Sequence, residues 1–423
     1  MLDRKKRTYR VEVWDNIHYS FARFNDHQVR GAIAFAERLD ESRLKNALDL
    51  SAEHAYPLIR CRLADNPFRF FWEDAGFSSA DMFLVEETKN MDASIQARLC
   101  SSIDERSGPQ VKVSLLRGPE SDTLCVNMNH MLADGAGFKE FLYSLSDIYS
   151  RLGGNADYIP SFAMGLRDTH QIVRSFSLFQ RAAGRMKRYS SSKYEKKIGF
   201  ALEGNRCNPF VVTRRIERSE FLKVKAYAGM RGATVNDAFL AAYVRALHKL
   251  ADGYVPAVQC VNDLRKYLPG KKPAAFCNLT SDMPCAIGPD IGVSFDDTLR
   301  KVKAAMDEEK NKLGWLSQIM MLESLFFLFP HRIARYLVLK NYRSPPIAMS
   351  NIGIIDNTRL LFGDAVITDA YMTGSIKYNP FLLLSLSTFS DSVTCCVGFH
   401  GTQADNEKIR TLLETIAGEL LCR

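Results

Sequence analysis

The chain has 423 residues, of which 46% are hydrophobic and 25% charged, so it can bury a large core and is sized for two domains or two tightly joined halves. That balance excludes a disordered or low-complexity protein. The net charge of +8 is concentrated in one segment rather than spread over the chain.

The basic opening, Met1-Leu2-Asp3-Arg4-Lys5-Lys6-Arg7, runs into Val11-Glu12-Val13-Trp14-Asp15 and not into an apolar stretch, which argues against a signal peptide. Strands are predicted over 29–39, 57–63, 68–72, 82–85, 111–116 and 124–128, from β-branched and aromatic enrichment between turn residues. Helices are predicted over 40–55, which stops before Pro57, near 93–103, and over 136–151. Between Ser161 and Phe200 stand nine basic residues (Arg167, Arg174, Arg181, Arg185, Lys187, Arg188, Lys193, Lys196, Lys197) against Asp168 and Glu195, an excess of +7. This stripe reads as a helical crossover that is either a solvated linker or a contact for phosphates, an acidic carrier or an anionic membrane. Nucleic acid is not expected, because no binding module accompanies the charge.

Beyond it, 211–216 reads as a strand, Ser219 as a helix cap, and Thr234 with Asp237 as a capping box for a helix through Lys249. A strand over 255–261 leads to Asn262-Asp263-Leu264-Arg265. Helices over 296–312 and 315–340, strands over 347–350, 365–372, 381–389 and 394–399, and a helix over 407–421 complete the chain. The run from Ile319 to Phe329 is too short to span a bilayer and is interrupted by Glu323, so it reads as a buried helix or an apolar substrate wall, with interfacial contact open. Ten cysteines include no Cys-x-x-Cys pair and no His/Cys cluster at zinc spacing. Cys395 and Cys396 point to opposite faces of a strand, so no metal site is expected, and free thiols suit a reducing, cytoplasmic setting.

His130-Met131-Leu132-Ala133-Asp134-Gly135 is the segment in which spacing and chemistry agree. It lies where a strand ends and a helix begins, a junction able to hold a histidine at a cavity mouth. A neutral imidazole suits proton abstraction from an alcohol or amine near pH 7. Asp134 turns back to brace the loop, and Gly135 suits a sharp turn through its freedom in φ/ψ. The competing reading is a core histidine followed by an N-capping aspartate.

Four segments taken together resemble the superfamily of CoA-dependent acyltransferases and peptide-synthetase condensation domains, whose type fold is that of chloramphenicol acetyltransferase. They are Tyr56-Pro57-Leu58-Ile59-Arg60, similar to the family's H-P-x-L-R; the His130–Gly135 motif; Gly232-Ala233-Thr234-Val235-Asn236-Asp237-Ala238; and Asp263-Leu264-Arg265 with Ser350-Asn351-Ile352-Gly353. The resemblance implies an α/β fold of two mixed-sheet subdomains around a central tunnel. The subdomains would span residues 1–160 and 206–423, joined by a basic crossover over 161–205. It implies His130 as general base, Asp134 paired with Arg265 in a structural role, and Gly135 and Asn351 near the oxyanion or on the tunnel wall. No bound cofactor is implied. The co-substrate would be an acyl-CoA or a phosphopantetheine thioester on an acyl carrier protein, and the acceptor an alcohol or amine. The alternatives are a standalone condensation enzyme forming an amide between carrier-bound substrates, or a non-catalytic binding member of the fold. Asn129 stands where many relatives carry a first histidine, the plant-branch D-F-G-W-G is missing, and no carrier or adenylation domain is fused. His400 reads as a strand end and His54 as a packing residue.

Overall fold

The computed structural model describes residues 7–161, 165–181, 200–251, 253, 257–268, 276–312, 314–341 and 346–421. Two mixed β-sheets form its centre. The first runs in the order Ile367–Thr373, Gln28–Phe35, Asp122–Asn129, Val111–Arg117, Phe83–Glu87, with only the last pair parallel. The second runs Thr280–Cys285, Val258–Asp263, Ile347–Ile355, Leu382–Phe389, Ser392–His400, Lys377–Tyr378, and Pro209–Ile216 also pairs with Ser392–His400. A three-stranded sheet of Thr8–Arg10, Phe70–Asp74 and Cys61–Asp65 completes the set.

Each large sheet carries its own core. In the first half, Trp72, Phe138, Phe141 and Leu48 pack beneath the helices Glu41–Leu50 and Gly135–Gly154. In the second, Phe239, Tyr243, Leu384 and Leu413 pack around Val235–Leu250 and Gln403–Leu421. The halves are not consecutive in the chain. Ile367–Thr373 comes from the second half, yet it is the edge of the first sheet and contributes Ala370 and Met372 to that core.

Local chemistry explains most element starts. Thr234 and Asp237 form the expected capping box, and Ser294 with Asp297 forms another ahead of Phe295–Asn311. The helix expected from Ser219 starts instead at Arg218, capped by Glu217 and Glu220. Residues 57–60 form a 3₁₀ turn, with the strand beginning at Cys61, because Pro57 suits the first helical position and cannot donate to a ladder. The helix expected over 315–340 is two helices, Gly314–Leu328 and His331–Asn341, broken at Pro330. The first of these is not wholly buried. Trp315, Leu316 and Ile319 face the core, whereas Phe327 and Leu328 are 75% and 69% exposed.

Within 161–200 the described residues include the short helix His170–Arg174 and helical residues at 178–181. Arg185, Lys187, Arg188, Lys193, Lys196 and Lys197 lie outside the described residues. Among the described residues no helix is long and apolar enough to cross a membrane.

Candidate functional site

The strand Asp122–Asn129 is buried along its whole length and delivers His130 to its end. Asn129 closes the turn: its amide donates to Gln110 Oε1 at 2.7 Å and its oxygen accepts from Met131 N at 2.9 Å. The loop that follows is gripped by its carbonyls. Asn278 donates to the carbonyls of His130 (2.9 Å) and Met131 (3.1 Å), and Arg167 donates to those of Met131 (3.3 Å) and Leu132 (3.1 Å). Arg167 is thus not part of a surface stripe. It is buried and bidentate with Asp15 at 2.9 and 3.0 Å.

Asp134 serves both roles that the sequence left open. Its Oδ1 caps the helix by accepting from Gly137 N at 2.9 Å. Its Oδ2 accepts from Arg265 Nη1 and from Leu279 N, both at 2.8 Å. Burial works to raise the carboxyl's pKa, but Arg265 and the two backbone donors outweigh it and hold Asp134 below the ordinary carboxylate value. Arg265 also donates to the carbonyl of Cys277 at 2.9 Å, so one ion pair joins the two halves directly beneath the histidine loop.

His130 Nδ1 lies 3.2 Å from Asn278 Oδ1. The Asn278 amide nitrogen is already committed to two carbonyls, which turns its oxygen toward the ring. Nδ1 must then carry the proton, leaving the lone pair on Nε2. Nε2 has no hydrogen-bond partner among the described residues, and the ring lines a cavity of about 170 Å³ with His18, Gly135, Ser350, Ile352 and Lys377. Burial lowers the pKa of His130, against the smaller opposing pull of its own carbonyl, Asp134 and Asn278. His18, on the helix Val13–Ser20, stacks on it with ring centroids 4.0 Å apart and planes at 20°. Burial first, and then the His130 ring, push His18 well below the usual imidazole value.

Gly135 lines the same cavity, but not for the reason expected. It is the first residue of the helix and has no positive φ; a Cβ there would lie 2.9 Å from Ile352 Cγ2. The need is for space. Gly135→Ala is expected to cost about 1–3 kcal/mol in thermal or urea melts. Pairing it with Ile352→Ala should then give less than the sum of the two single losses; strict additivity would remove this contact as the reason for the glycine.

Asn351 is not brought to the site. Strand alternation points Ser350 and Ile352 into the cavity, and Asn351 is exposed, its Oδ1 accepting from Gly353 N at 3.0 Å across a β-bulge. His400 ends its strand, packed on Tyr378 and away from His130. His54 is exposed rather than packed. His18, Asn278 and Lys377 were not singled out from the sequence, since none belongs to a local pattern, and Arg167 was read only as one of the basic stripe. A larger cavity of about 760 Å³, lined by Glu12, Phe70, His170, Met320, Glu323 and Phe327 among others, shares no lining residue with the His130 cavity. Among the described residues no group of three or more His, Cys, Asp or Glu is arranged to hold a metal ion.

No family model matches the sequence, and no curated protein matches it. Solved structures do. The first condensation domain of the CDA synthetase superposes with a TM-score of 0.71 at 13% identity, covering 98% of this chain and 96% of that one. TRI3 trichothecene 15-O-acetyltransferase from Fusarium sporotrichioides gives 0.67 at 14%, covering 98% and 95%. Polyketide synthase associated protein 5 from Mycobacterium tuberculosis gives 0.64 at 13%, covering 98% and 99%. With near-complete coverage at such low identity, the likeness establishes the architecture: this chain shares the two-sheet fold of chloramphenicol-acetyltransferase-like and condensation-domain proteins.

Proposed function

We propose that this protein transfers an acyl group from a thioester, an acyl-CoA or an acyl-loaded carrier, to a hydroxyl or amine acceptor, with His130 as general base. The observation that carries the reading is an imidazole that lines a cavity, its Nδ1 held by Asn278 and its Nε2 without a hydrogen-bond partner among the described residues. Nε2 takes the proton from the acceptor O–H or N–H as that atom attacks the thioester carbonyl. The tetrahedral oxyanion then collapses, the C–S bond breaks, and the imidazolium returns its proton to the departing thiolate. The neutral histidine is regenerated. Donor and acceptor would approach from opposite faces through a passage centred on His130.

Condensation domains recur among the structural neighbours, which favours the amide-forming version between carrier-bound substrates; the O-acetyltransferase neighbour keeps a hydroxyl acceptor in play. A binding member of the fold with no chemistry is the remaining alternative. Nine free cysteines among the described residues suit a reducing, cytoplasmic setting, and contact of the basic segment with CoA phosphates, a carrier or an anionic membrane belongs to the same proposal.

The test is thiol release from acetyl-CoA, longer acyl-CoAs and an acyl-loaded carrier protein, each against alcohols and amines. Acceptor-dependent release supports the proposal, and its absence across the whole matrix leaves the binding reading. Because burial lowers the pKa of His130 from the ordinary 6.5, its base form persists below that pH. The acidic limb of the kcat/KM–pH profile is therefore expected below pH 6.5. Asp282, in the same cavity and pushed up to about 6 by burial, and His18, pushed well below the ordinary imidazole value, are the other groups able to produce a limb there. A limb that survives both Asp282→Asn and His18→Phe is assigned to His130, and one that either variant abolishes is assigned to the group removed.

A further inference from the structure

One wall of the His130 cavity carries a charge that the proposed transfer does not use. Lys377 sits on the two-residue strand Lys377–Tyr378, which pairs parallel with the end of Ser392–His400. Its side chain lines the cavity together with His130, His18, Ser375 and Asp282. Among the described residues it forms no ion pair within 4.0 Å. The carboxylates that influence it are Asp26 and Asp282. Asp26 is already engaged by Arg30 and by Ile376 N, the latter at 2.9 Å, and Asp282 is hydrogen-bonded by Gln259. Burial lowers Lys377 to about 8, the behaviour of an ammonium short of a counter-charge.

Much of the remaining wall is apolar: Phe21, Phe24, Val261, Phe381, Leu382 and Leu383. An uncompensated cation in such surroundings costs free energy unless an anion arrives to pair with it. The thioester end of a pantetheine arm is uncharged and cannot supply that anion, whereas a carboxylate on a substrate can.

We propose that Lys377 binds the carboxylate of one of the two substrates, either a hydroxy- or amino-acid acceptor or an acyl group that ends in a carboxylate. This rests on the acyl-transfer reading of His130 and narrows it to substrates bearing an acid. A carboxylate supplies the charge and two acceptor oxygens to an ammonium with three donors.

Two arms separate the sources. With a fixed neutral acceptor, kcat/KM is compared for succinyl-CoA and butyryl-CoA. With a fixed acetyl-CoA donor, it is compared for lactate and its methyl ester. In the arm that matches the true source, the wild type should prefer the acid by about ten- to a hundredfold, the worth of one charge-assisted hydrogen bond. Lys377→Met should erase that ratio and Lys377→Arg should retain part of it. Calorimetric titration of succinate against succinamide gives a readout without turnover: succinate should bind the wild type and His130→Ala, and not Lys377→Met. Turnover with an acid-to-neutral ratio unchanged by Lys377→Met overturns the inference alone. Lys377-dependent succinate binding in a protein that transfers no acyl group overturns the transfer reading and keeps the anion site. Failure of the wild type to bind succinate and to prefer either acid overturns the anion site.

Discussion

Asp134→Ala and Arg265→Ala are each expected to cost about 3–5 kcal/mol of folding stability, with loss of soluble protein, because each leaves half of a buried ion pair behind. Asp134 is 3% exposed and Arg265 5%. The aspartate variant should be the worse of the two: it also strands Leu279 N and removes the cap on Gly137 N, whereas Arg265→Ala leaves both of those bonds intact. Asp134→Asn separates the contributions, since asparagine is a good N-cap but carries no charge. The carboxyl is held below its ordinary 3.8, so its stabilisation is complete at neutral pH and is lost as pH falls below that value. Urea or thermal melts check this, and the double variant should fall short of the sum of the singles by about 0.5–3 kcal/mol. Wild-type melting in either single variant, with turnover alone lost, would refute the bracing role.

His130→Ala should have the opposite signature. The ring makes one side-chain hydrogen bond, to Asn278, and a stack with His18, while the loop is held through backbone carbonyls that an alanine keeps. Stability should therefore change little. Acceptor-dependent thiol release should fall by about 10²- to 10⁴-fold, the usual contribution of a positioned general base. Equal rates for the variant and the wild type would take His130 out of the chemistry and leave the cavity as a binding site. Asp134→Ala and Arg265→Ala should thus lose fold and function together, and His130→Ala function alone.

Much of the framework is legible locally. The strand before His130, the helix after Asp134 and the Thr234 cap each follow from residues a few positions apart, because side-chain alternation and capping are short-range effects. The elements missed have weak local signals. Val13–Ser20 is only eight residues long and mixes Trp14 with Asp15 and His18. Thr280–Cys285 contains Pro284, which a strand tolerates here because it lies at the sheet edge. Asn351 and Gly135 show the complementary error. Their motif positions drew attention, but the bulged strand turns Asn351 outward and it is Ile352 that makes Gly135 necessary.

The two-half α/β plan came from the resemblance of four segments taken together, whereas by itself the sequence determined the strand–loop–helix that presents His130 and the aspartate that caps the helix after it. Those depend on neighbours along the chain. Only the tertiary structure decided which nitrogen of His130 is free, which ring stacks on it and which ammonium faces it. Asn278 is 148 positions away, and His18 and Lys377 come from opposite ends of the chain. Nothing in local propensity or spacing links such residues, because they meet only when two sheets with separate cores close around one cavity.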